Sequence, residues 1–482
     1  MSEGLPVEAQ SSWRRDPWLW ASLVLFLGVR AAAMTRAPDI DELFTSWIIQ
    51  KPIPDMMETL RLDSGPPLHY LLLWPFHSLS PIFAARLVSL FAGVALLLVA
   101  TWAIRDRTAR RLIAFLIALH PLHVFFSTRG RAYSLVALMI LVAAVALVQW
   151  ADSRDRRMLL AGSLGLTVAA YTHYYAIYLF PLPLLIALTR DRKMIRDGAL
   201  ACAGVGLAFI PGFLLLWSQP AGALAWMKIE DDVLRVIHTL GSFGRLGFDG
   251  RQRLPFEPAT MALQLVGPLL LLIALAGTRR SARAARYLVV VLTAIAGAVA
   301  AAALGFSAYF PLRFESVLIG PVVLFYALSI RELRPSIFRV LAVVAIVVAA
   351  VATSTVAFGE RGARSPERSV AEAIRDHASP EIPIYTTGPI YFELRAQRNE
   401  TWSPPLNVFP RELEVHPGHR GTERMILEDL KRLKEKRERF LWVGPSSSFE
   451  AKMIRDRMDA RVVDDRYGLT TLLVDPGSPA GS

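Results

Sequence analysis

Three carboxylates lie within four residues of the chain: Asp39, Asp41 and Glu42 in the segment PDIDE. A carboxylate near a hydroxyl or an amine can remove its proton, and carboxylates can also hold a metal ion against a phosphate. Acidic residues are equally favoured in the first turn of a helix, here the one that begins ELFTSWIIQ. The spacing alone leaves the catalytic and the capping interpretations open.

A second polar segment of the same loop, DSGPPLHY, is followed by the apolar run LLLWPFH. Paired prolines fix the start of a helix, and Tyr70, Trp74 and His77 border its apolar face. We therefore expect a helix that lies in the membrane interface. Asp63, which opens the segment, is either a ligand or a helix cap.

Arginines occur in two short connectors between apolar runs, Arg129 and Arg131 in STRGRAY and Arg313 in YFPLRFE. Basic connectors normally face the cytoplasm, but the topology derived below places these two on the opposite side. Arginine in that position indicates an anionic partner, and a phosphate is the natural candidate. For Arg313, an ion pair with Glu315 or with another carboxylate is the alternative.

Histidines stand beside two helix-breaking patterns. His173 lies among tyrosines in YTHYYAIY, either as a polar site residue at a helix break or as an interfacial residue. His120 and His123 could share a metal ion, or could bond to backbone groups near Pro121. Because no ligand set has clear metal spacing, a divalent metal is a candidate cofactor only, and no other cofactor is indicated.

The composition indicates which elements must position these residues. Of 482 residues, 54% are hydrophobic and 20% are charged, and the mean hydropathy is +0.39. These values exclude disordered, fibrous and disulfide-stabilised proteins and indicate a polytopic membrane protein. The single cysteine, Cys202, lies in an apolar run and is interpreted as a packing residue.

Membrane-spanning helices need about 20 mainly apolar residues. Arg30 falls near the outer end of the first apolar run, where we expect its side chain to extend to the interface. The segment 158–189 is too long for one span and short for two. The other predicted spans are 18–35, 81–103, 112–127, 133–151, 199–217, 260–277, 287–306, 315–330 and 338–358.

Basic residues decide the number of spans. Five connectors carry three or four basic residues each: RDRTARR, SRDRR, TRDRKMIR, TRRSARAAR and RELRPSIFR. All five can be cytoplasmic only if 158–189 forms two short helices that meet at the Tyr/His cluster. This gives about eleven spans, a cytoplasmic N-terminus and long outer loops at 36–80 and 218–259. The net charge of +12 thus sets membrane orientation and does not indicate a nucleic acid partner.

The C-terminal part differs from the rest of the chain. Residues 359–482 are charged, contain no spanning run, and alternate helical periodicity with short strand patterns such as IPIYTT, FLWVG and LTTLLVD. The sequence therefore predicts two domains, a membrane domain at 1–358 and a small extracytoplasmic α/β domain at 359–482.

The order of these motifs resembles that of bacterial family 39 glycosyltransferases of the GT-C superfamily, relatives of protein O-mannosyltransferases and of aminoarabinose transferases. The resemblance covers residues 1–358. It rests on the Asp41-Glu42 pair after the first span, the PPL element, Arg131-x-Tyr133 at the start of the fourth span, the THYY break at His173, and the late P-x-R-aromatic motif at Arg313.

The resemblance implies a GT-C fold and transfer of a sugar, a mannose-like hexose or a pentose, from a polyprenyl-phosphate carrier to a protein, lipid or polysaccharide acceptor. The reaction would take place on the outer face of the cytoplasmic membrane, with Asp41 as the general base and Glu42 beside it. Arg131 and Arg313 would hold the carrier phosphate. The further candidate binding residues come from the patterns described above: Arg129, His173, Tyr133 and Asp63.

Two departures and two alternatives accompany this resemblance. Gly65 stands where family members often have a charged residue or histidine before the prolines, and Phe314 stands in place of a tyrosine. A transporter of lipid-linked sugars would need the same arginines but no base. A non-catalytic subunit of an envelope assembly machine would need neither.

Overall fold

The protein is described here from a computed structural model, and the two compact units of the chain are treated separately. The first unit comprises Met1–Arg36 and Ser64–Arg361, and the second comprises Ala37–Asp63 and Gly362–Ser482. The structure describes residues 16–36, 38–63, 65–219, 272, 274–304, 313–333, 336–337, 339–341, 343–344, 371–372, 374–375, 381–386, 391, 394–395, 405–408, 423–436, 439–445, 448–466 and 469–475.

The first unit is helical. Its helices are α1 (Pro17–Met34), α4 (Leu68–Leu73), α5 (Pro81–Trp102), α6 (Arg107–Leu119), α7 (Pro121–Ser127), α8 (Tyr133–Ser153), α9 (Arg156–Thr172), α10 (Leu182–Leu188), α11 (Ile195–Ala208), α12 (Ile210–Ser218), α13 (Ala282–Ala303), α14 (Arg313–Ser316) and α15 (Ile319–Arg331), in a numbering in which α2 and α3 belong to the second unit. Short 3-10 helices follow α4, α9 and α10 at Trp74–Phe76, Tyr174–Leu179 and Arg192–Met194.

Several of these helices can cross a bilayer by length and composition. Within the described residues, Pro81–Trp102, Tyr133–Ser153 and Ala282–Ala301 each suffice alone, and two bent pairs bring the number to five. The predicted span 112–127 is broken, because α6 and α7 meet at 58° before Pro121. The predicted spans 260–277 and 338–358 lie mostly outside the described residues, so the number eleven stays a prediction.

The segment 158–189 forms two helical passages, as the charge pattern predicts. Helix α9 ends at Thr172, His173 is extended, and the chain continues as the 3-10 helix Tyr174–Leu179 and as α10. The basic connectors on either side of this pair lie together, since Arg154 and Asp191 form an ion pair of 2.6 Å. The chain therefore leaves one end of the bundle and returns to it.

All five basic connectors share that end of the bundle, which we call the paired end. Ion pairs link connector 153–157 to 189–196 and the end of α8 to 278–286, a hydrogen bond links 278–286 to 331–339, and a further ion pair links 331–339 to 105–111. The contacts are Arg154–Asp191, Arg283–Asp152 at 2.7 Å, Arg280 to the carbonyl of Glu332 at 3.4 Å, and Arg331–Asp106 at 3.6 Å. Half-exposed pairs of this kind add little stability, but they show that the connectors meet.

The opposite end depends on a buried arginine. Pro121 has no N–H group, so the carbonyl of Ile117, four residues earlier, loses its helical donor. The guanidinium of Arg30 donates to this carbonyl at 3.3 Å and to the carbonyl of Ala118 at 2.8 Å. It also donates to the Ser127 hydroxyl at 2.7 Å. Arg30 is 0% exposed, so the expectation that its side chain reaches the interface is wrong: the broken helix supplies acceptors inside the bundle.

The second unit contains α2 (Ile40–Ile49) and α3 (Ile53–Leu62) together with the C-terminal residues. Lys51 joins the two helices: its Nζ lies 3.7 Å from the Trp47 ring centroid and donates to Thr59 Oγ1 at 2.7 Å. Lys51 also lies close enough to Arg395 for their charges to interact. The sequence predicts that loop 36–80 belongs with the membrane helices, whereas the structure groups 37–63 with the C-terminal residues.

The C-terminal residues form a five-stranded sheet of order β2-β1-β3-β5-β4. Strand β1 is parallel to β2 and β3, and β5 is antiparallel to β3 and β4. Both faces are apolar: Trp442 and Leu472 lie in one core cluster, and Leu441 and Val443 lie in the other. The elements are β1 (Ile384–Thr386), β2 (Leu406–Val408), α16 (Glu423–Lys436), β3 (Phe440–Pro445), α17 (Phe449–Arg457), β4 (Asp459–Arg466) and β5 (Leu469–Asp475).

Replacing Arg30 tests the account of the break at Pro121. Arg30→Met leaves the carbonyls of Ile117 and Ala118 without their donor inside the bundle, so we expect the thermal midpoint in detergent to fall by roughly 5 °C or more. Arg157→Met, at an exposed position of the paired end, should change it by less than about 1 °C. Equal midpoints for the two variants would show that the buried guanidinium does not stabilise the break.

Candidate functional site

The helices place three of the predicted site residues at the end opposite the paired end. Helix α8 begins at Tyr133 and reaches the paired end with its last turn, about 30 Å away at 1.5 Å per residue. His173 follows the far end of α9, whose first residue pairs with Asp197 at 3.5 Å. Arg313 precedes α15, which ends at the paired end. We call the residues gathered here the arginine-histidine cluster: His69, Arg131, Tyr133, His173 and Arg313.

His173 is held by the helix break itself. Its Nδ1 accepts a hydrogen bond from the backbone N–H of Tyr175 at 3.3 Å, which caps the 3-10 helix. A neutral imidazole that accepts at Nδ1 carries its proton on Nε2, so His173 can donate from that atom. The ring also packs against aromatic neighbours, with centroids 5.2 Å from Tyr133 and 4.4 Å from Tyr175.

Two arginines flank this ring. The charges of Arg131 and Arg313 both act on His173. The guanidinium carbon of Arg313 lies 5.9 Å from the Tyr133 ring centroid, a cation–π contact. The structure therefore brings together four residues that the sequence proposes separately: Arg131, Tyr133, His173 and Arg313.

A glycine allows the turn that carries Arg131 to approach α5. A Cβ atom on Gly130 would lie 2.6 Å from Cβ of Ala85, closer than side chains tolerate. The Ser89 hydroxyl on the same helix donates to the carbonyl of Arg131 at 3.1 Å. Arg129, on the other side of the glycine, stacks on the Phe125 ring with its guanidinium carbon 3.5 Å from the centroid. The turn thus fixes the backbone from which Arg131 projects.

His69 joins the cluster without any functional assignment from the sequence. It lies on α4, is 2% exposed, and interacts electrostatically with Arg131 and with His173. Burial lowers its pKa to about 3, the Arg131 charge acts in the same direction, and the Gly130 backbone opposes them weakly. His69 is therefore a neutral imidazole at physiological pH. The sequence gives no functional signal for His69, because it lies between Leu68 and Tyr70 at the start of a mainly apolar helix.

The predicted carboxylates belong to the second unit. Asp39 and Glu42 form a capping box on α2: Asp39 accepts from the Glu42 N–H at 3.0 Å, and the Asp39 N–H donates to Glu42 at 3.1 Å. Glu42 is 1% exposed. Asp41 takes no part in the box, and Asp63 stands at the C-cap of α3. The capping interpretation therefore describes Asp39 and Glu42, while catalytic roles for Asp41 and Glu42 and a ligand role for Asp63 stay predictions.

Of the two histidines next to Pro121, His123 contacts the buried Arg30. Nδ1 of His123 lies 3.0 Å from the guanidinium of Arg30, and the ring packs near Phe26 with centroids 5.6 Å apart. Among the described residues, no group of three His, Cys, Asp or Glu side chains could hold a metal ion. The divalent metal that the sequence leaves as a candidate stays a prediction.

Two solved structures match this chain over nearly its whole length. ArnT from Cupriavidus metallidurans, in its apo state, is 14% identical, with a TM-score of 0.60 over 96% of this chain and 98% of the other. The archaeal oligosaccharyltransferase AglB from Archaeoglobus fulgidus, in complex with an inhibitory peptide and a dolichol-phosphate, is 12% identical, with a TM-score of 0.52 over 96% and 75%. No protein-family model and no curated relative matches the sequence. The likeness shows that this chain has the fold of ArnT and AglB, in agreement with the helical membrane fold predicted from the sequence.

The capping box predicts that neighbouring carboxylates have separable roles. Glu42→Ala removes one half of the box, so we expect the amides of 40–49 to exchange hydrogen about fivefold faster, as for a loss of about 1 kcal/mol. Asp41→Asn should change their exchange by less than twofold. Hydrogen exchange of the full-length protein, read by mass spectrometry of peptides that cover 40–49, measures both variants. Equal acceleration in the two would contradict the assignment.

Proposed function

We propose that the protein is a membrane glycosyltransferase that transfers a sugar from a polyprenyl-phosphate carrier to an acceptor. The observation that carries the proposal is the arginine-histidine cluster at one end of a GT-C helical bundle. Two guanidinium groups near aromatic rings suit a ligand with a phosphate head and an apolar tail. The binding of a dolichol-phosphate by AglB, which has the same fold, supports this class of carrier.

The chemistry follows from the charge changes of the reaction. The bond between the anomeric carbon and the carrier phosphate breaks, and a bond from the acceptor oxygen to that carbon forms. Negative charge grows on the departing phosphate, where Arg131 and Arg313 stabilise it. Asp41 takes the proton from the acceptor hydroxyl as general base. A direct displacement of this kind, in which the acceptor attacks from the face opposite the leaving phosphate, inverts the anomeric configuration.

The remaining assignments rest on the same proposal. The paired end, rich in arginine, faces the cytoplasm by the positive-inside rule, so the cluster opens to the outer face of the inner membrane. The N-terminus is then cytoplasmic and the α/β sheet extracytoplasmic. The donor is a polyprenyl-phosphate-linked hexose or pentose within the membrane lipid, and the acceptor is a glycan, a lipid or a protein. Arg129 and Asp63 are candidate contacts for these substrates, and a divalent metal is a candidate cofactor.

A transporter of lipid-linked sugars is the second candidate function. It is favoured by the cluster itself, since binding a phosphate head requires the arginines whether or not a sugar is transferred. A transporter places its binding groups near the middle of the bilayer, whereas the cluster lies at helix ends. A transporter also has no use for a base at Asp41, nor does a non-catalytic envelope subunit.

Asp41→Asn tests the base directly. In cells that lack the protein, we expect wild type to restore the missing glycan, and Asp41→Asn to reduce transfer about 10²- to 10⁴-fold with accumulation of the lipid-linked sugar. Asp55→Asn, an exposed carboxylate on α3 of the same unit, is the matched control and should restore the glycan fully. Mass spectrometry of lipid-linked sugars at equal protein levels measures all three. Full restoration by Asp41→Asn would favour the transporter.

Substitutions of Arg131 and Arg313 test the phosphate site. Each change to alanine should lower transfer about 10²-fold or more, because developing charge on the phosphate loses a partner. Lysine keeps the charge but loses bidentate geometry, so Arg131→Lys and Arg313→Lys should be intermediate. Arg105→Ala, at an exposed position of the paired end, is the control. Transfer rates in proteoliposomes decide, and normal rates for both alanine variants would refute the phosphate site.

A further inference from the structure

His69 is buried in a way that packing alone does not explain. It is 2% exposed, and among the described residues neither ring nitrogen makes a hydrogen bond of regular geometry. Burying an imidazole without hydrogen bonds costs free energy that a leucine or phenylalanine of similar size would not. A buried polar ring that borders the arginine-histidine cluster therefore has a use there.

The protonation state of the ring limits what that use can be. Burial and the nearby Arg131 charge hold the pKa of His69 at about 3, so the ring is neutral. A neutral imidazole has one nitrogen that donates and one that accepts. The Gly130 backbone lies beside the ring and favours the protonated form, as a carbonyl acceptor does. With one nitrogen directed to that carbonyl, the other can only accept.

The arginine-histidine cluster contains a hydrogen-bond donor for the accepting nitrogen of His69. Gly130 lies between Arg129 and Arg131, and of these two arginines it is Arg131 whose charge acts on His69. A guanidinium has five N–H groups and no acceptor, so it can bond to a neutral imidazole and to a phosphate at once. A protonated imidazole in the same place would repel it. His69 suits Arg131 because it is uncharged.

We propose that His69 is the positioning residue for Arg131: in the donor-bound state its neutral ring accepts a hydrogen bond from the guanidinium and holds it against the carrier phosphate. The inference rests on the proposed function and deepens it. The two histidines of the cluster then have different tasks. His173, with Nδ1 occupied by the Tyr175 N–H, presents a donor to the site, and His69 presents an acceptor to the arginine.

The test is binding of a short-chain polyprenyl phosphate to the purified full-length protein in detergent, followed by donor kinetics. His69→Phe keeps the size and burial of the side chain but removes the acceptor, and should weaken binding and raise the donor KM about tenfold, with kcat changed less than threefold. His69→Asn or His69→Gln, whichever places an amide oxygen toward Arg131, should recover most of the affinity. Thermal midpoints should stay within about 2 °C of wild type.

A double-mutant cycle separates positioning from packing. If His69 acts through Arg131, then His69→Phe should weaken binding less than twofold in an Arg131→Ala background. His77→Phe is the matched control, since His77 lies in the same loop, bonds to the Trp74 carbonyl at 2.7 Å, and has no contact with the cluster among those the structure describes. It should bind as wild type does.

The outcomes distinguish failure of the positioning role of His69 from failure of the proposed function. If wild type binds the polyprenyl phosphate and His69→Phe binds it equally well, or if the effects of His69→Phe and Arg131→Ala are additive, the positioning role is refuted and the proposed function stands. If wild type itself shows no binding, the proposed function fails and His69 has no phosphate site to serve. Loss of affinity that only an amide variant restores supports the pair.

Discussion

One end of the bundle depends on the hydrogen bonds that the guanidinium of Arg30 donates. Pro121 interrupts the helix that begins at Arg107, and the break leaves the carbonyls of its last turn in need of a donor from elsewhere in the protein. Arg30 supplies that donor from another helix and also bonds to Ser127. The chain bends by 58° at this break and, a few residues later, forms the turn that carries Arg131. The buried Arg30 thus stabilises the backbone that leads to Arg131 and is not itself part of the arginine-histidine cluster.

Arginine has different tasks at the two ends of the bundle, set by what surrounds it. At the paired end, Arg154, Arg283 and Arg331 meet aspartates, and the carboxylates neutralise them. At the opposite end, the contacts of Arg86 include the carbonyls of Met34 and Arg36, and those of Arg313 include the face of Tyr133. Carbonyl oxygens and ring faces can therefore bind a guanidinium as carboxylates do.

The sequence predicts much of this architecture because charge and apolar length are strong, local signals. The basic connectors indicate two passages in 158–189, and the ion pair Arg154–Asp191 shows that both ends of that segment meet. The burial of Arg30 cannot be predicted from the sequence, because the carbonyls that accept its hydrogen bonds belong to a helix break about ninety residues further along the chain. The pattern PDIDE likewise predicts a cap and a base equally well; only the paired hydrogen bonds of Asp39 and Glu42 show which residues cap. The sequence does not indicate a role for His69, because the helix that contains it is mainly apolar, whereas the groups that act on it in space include Arg131 and His173.

The low identity to proteins of the same fold follows from the same physics. A helix in lipid needs apolar length, and leucine, valine, alanine and phenylalanine supply it almost interchangeably, so sequence can drift while the bundle persists. This chain and ArnT share a fold over 96% of this chain with only 14% identical residues. Geometry constrains two positions of this chain: a Cβ on Gly130 would lie 2.6 Å from Cβ of Ala85, and the carbonyl of Ile117 that Pro121 leaves without a helical donor accepts from Arg30. The first of these constraints sets where the backbone of Arg131, the proposed phosphate ligand, begins, because the absence of a Cβ at Gly130 lets this turn approach Ala85 and the Ser89 hydroxyl bonds to the carbonyl of Arg131.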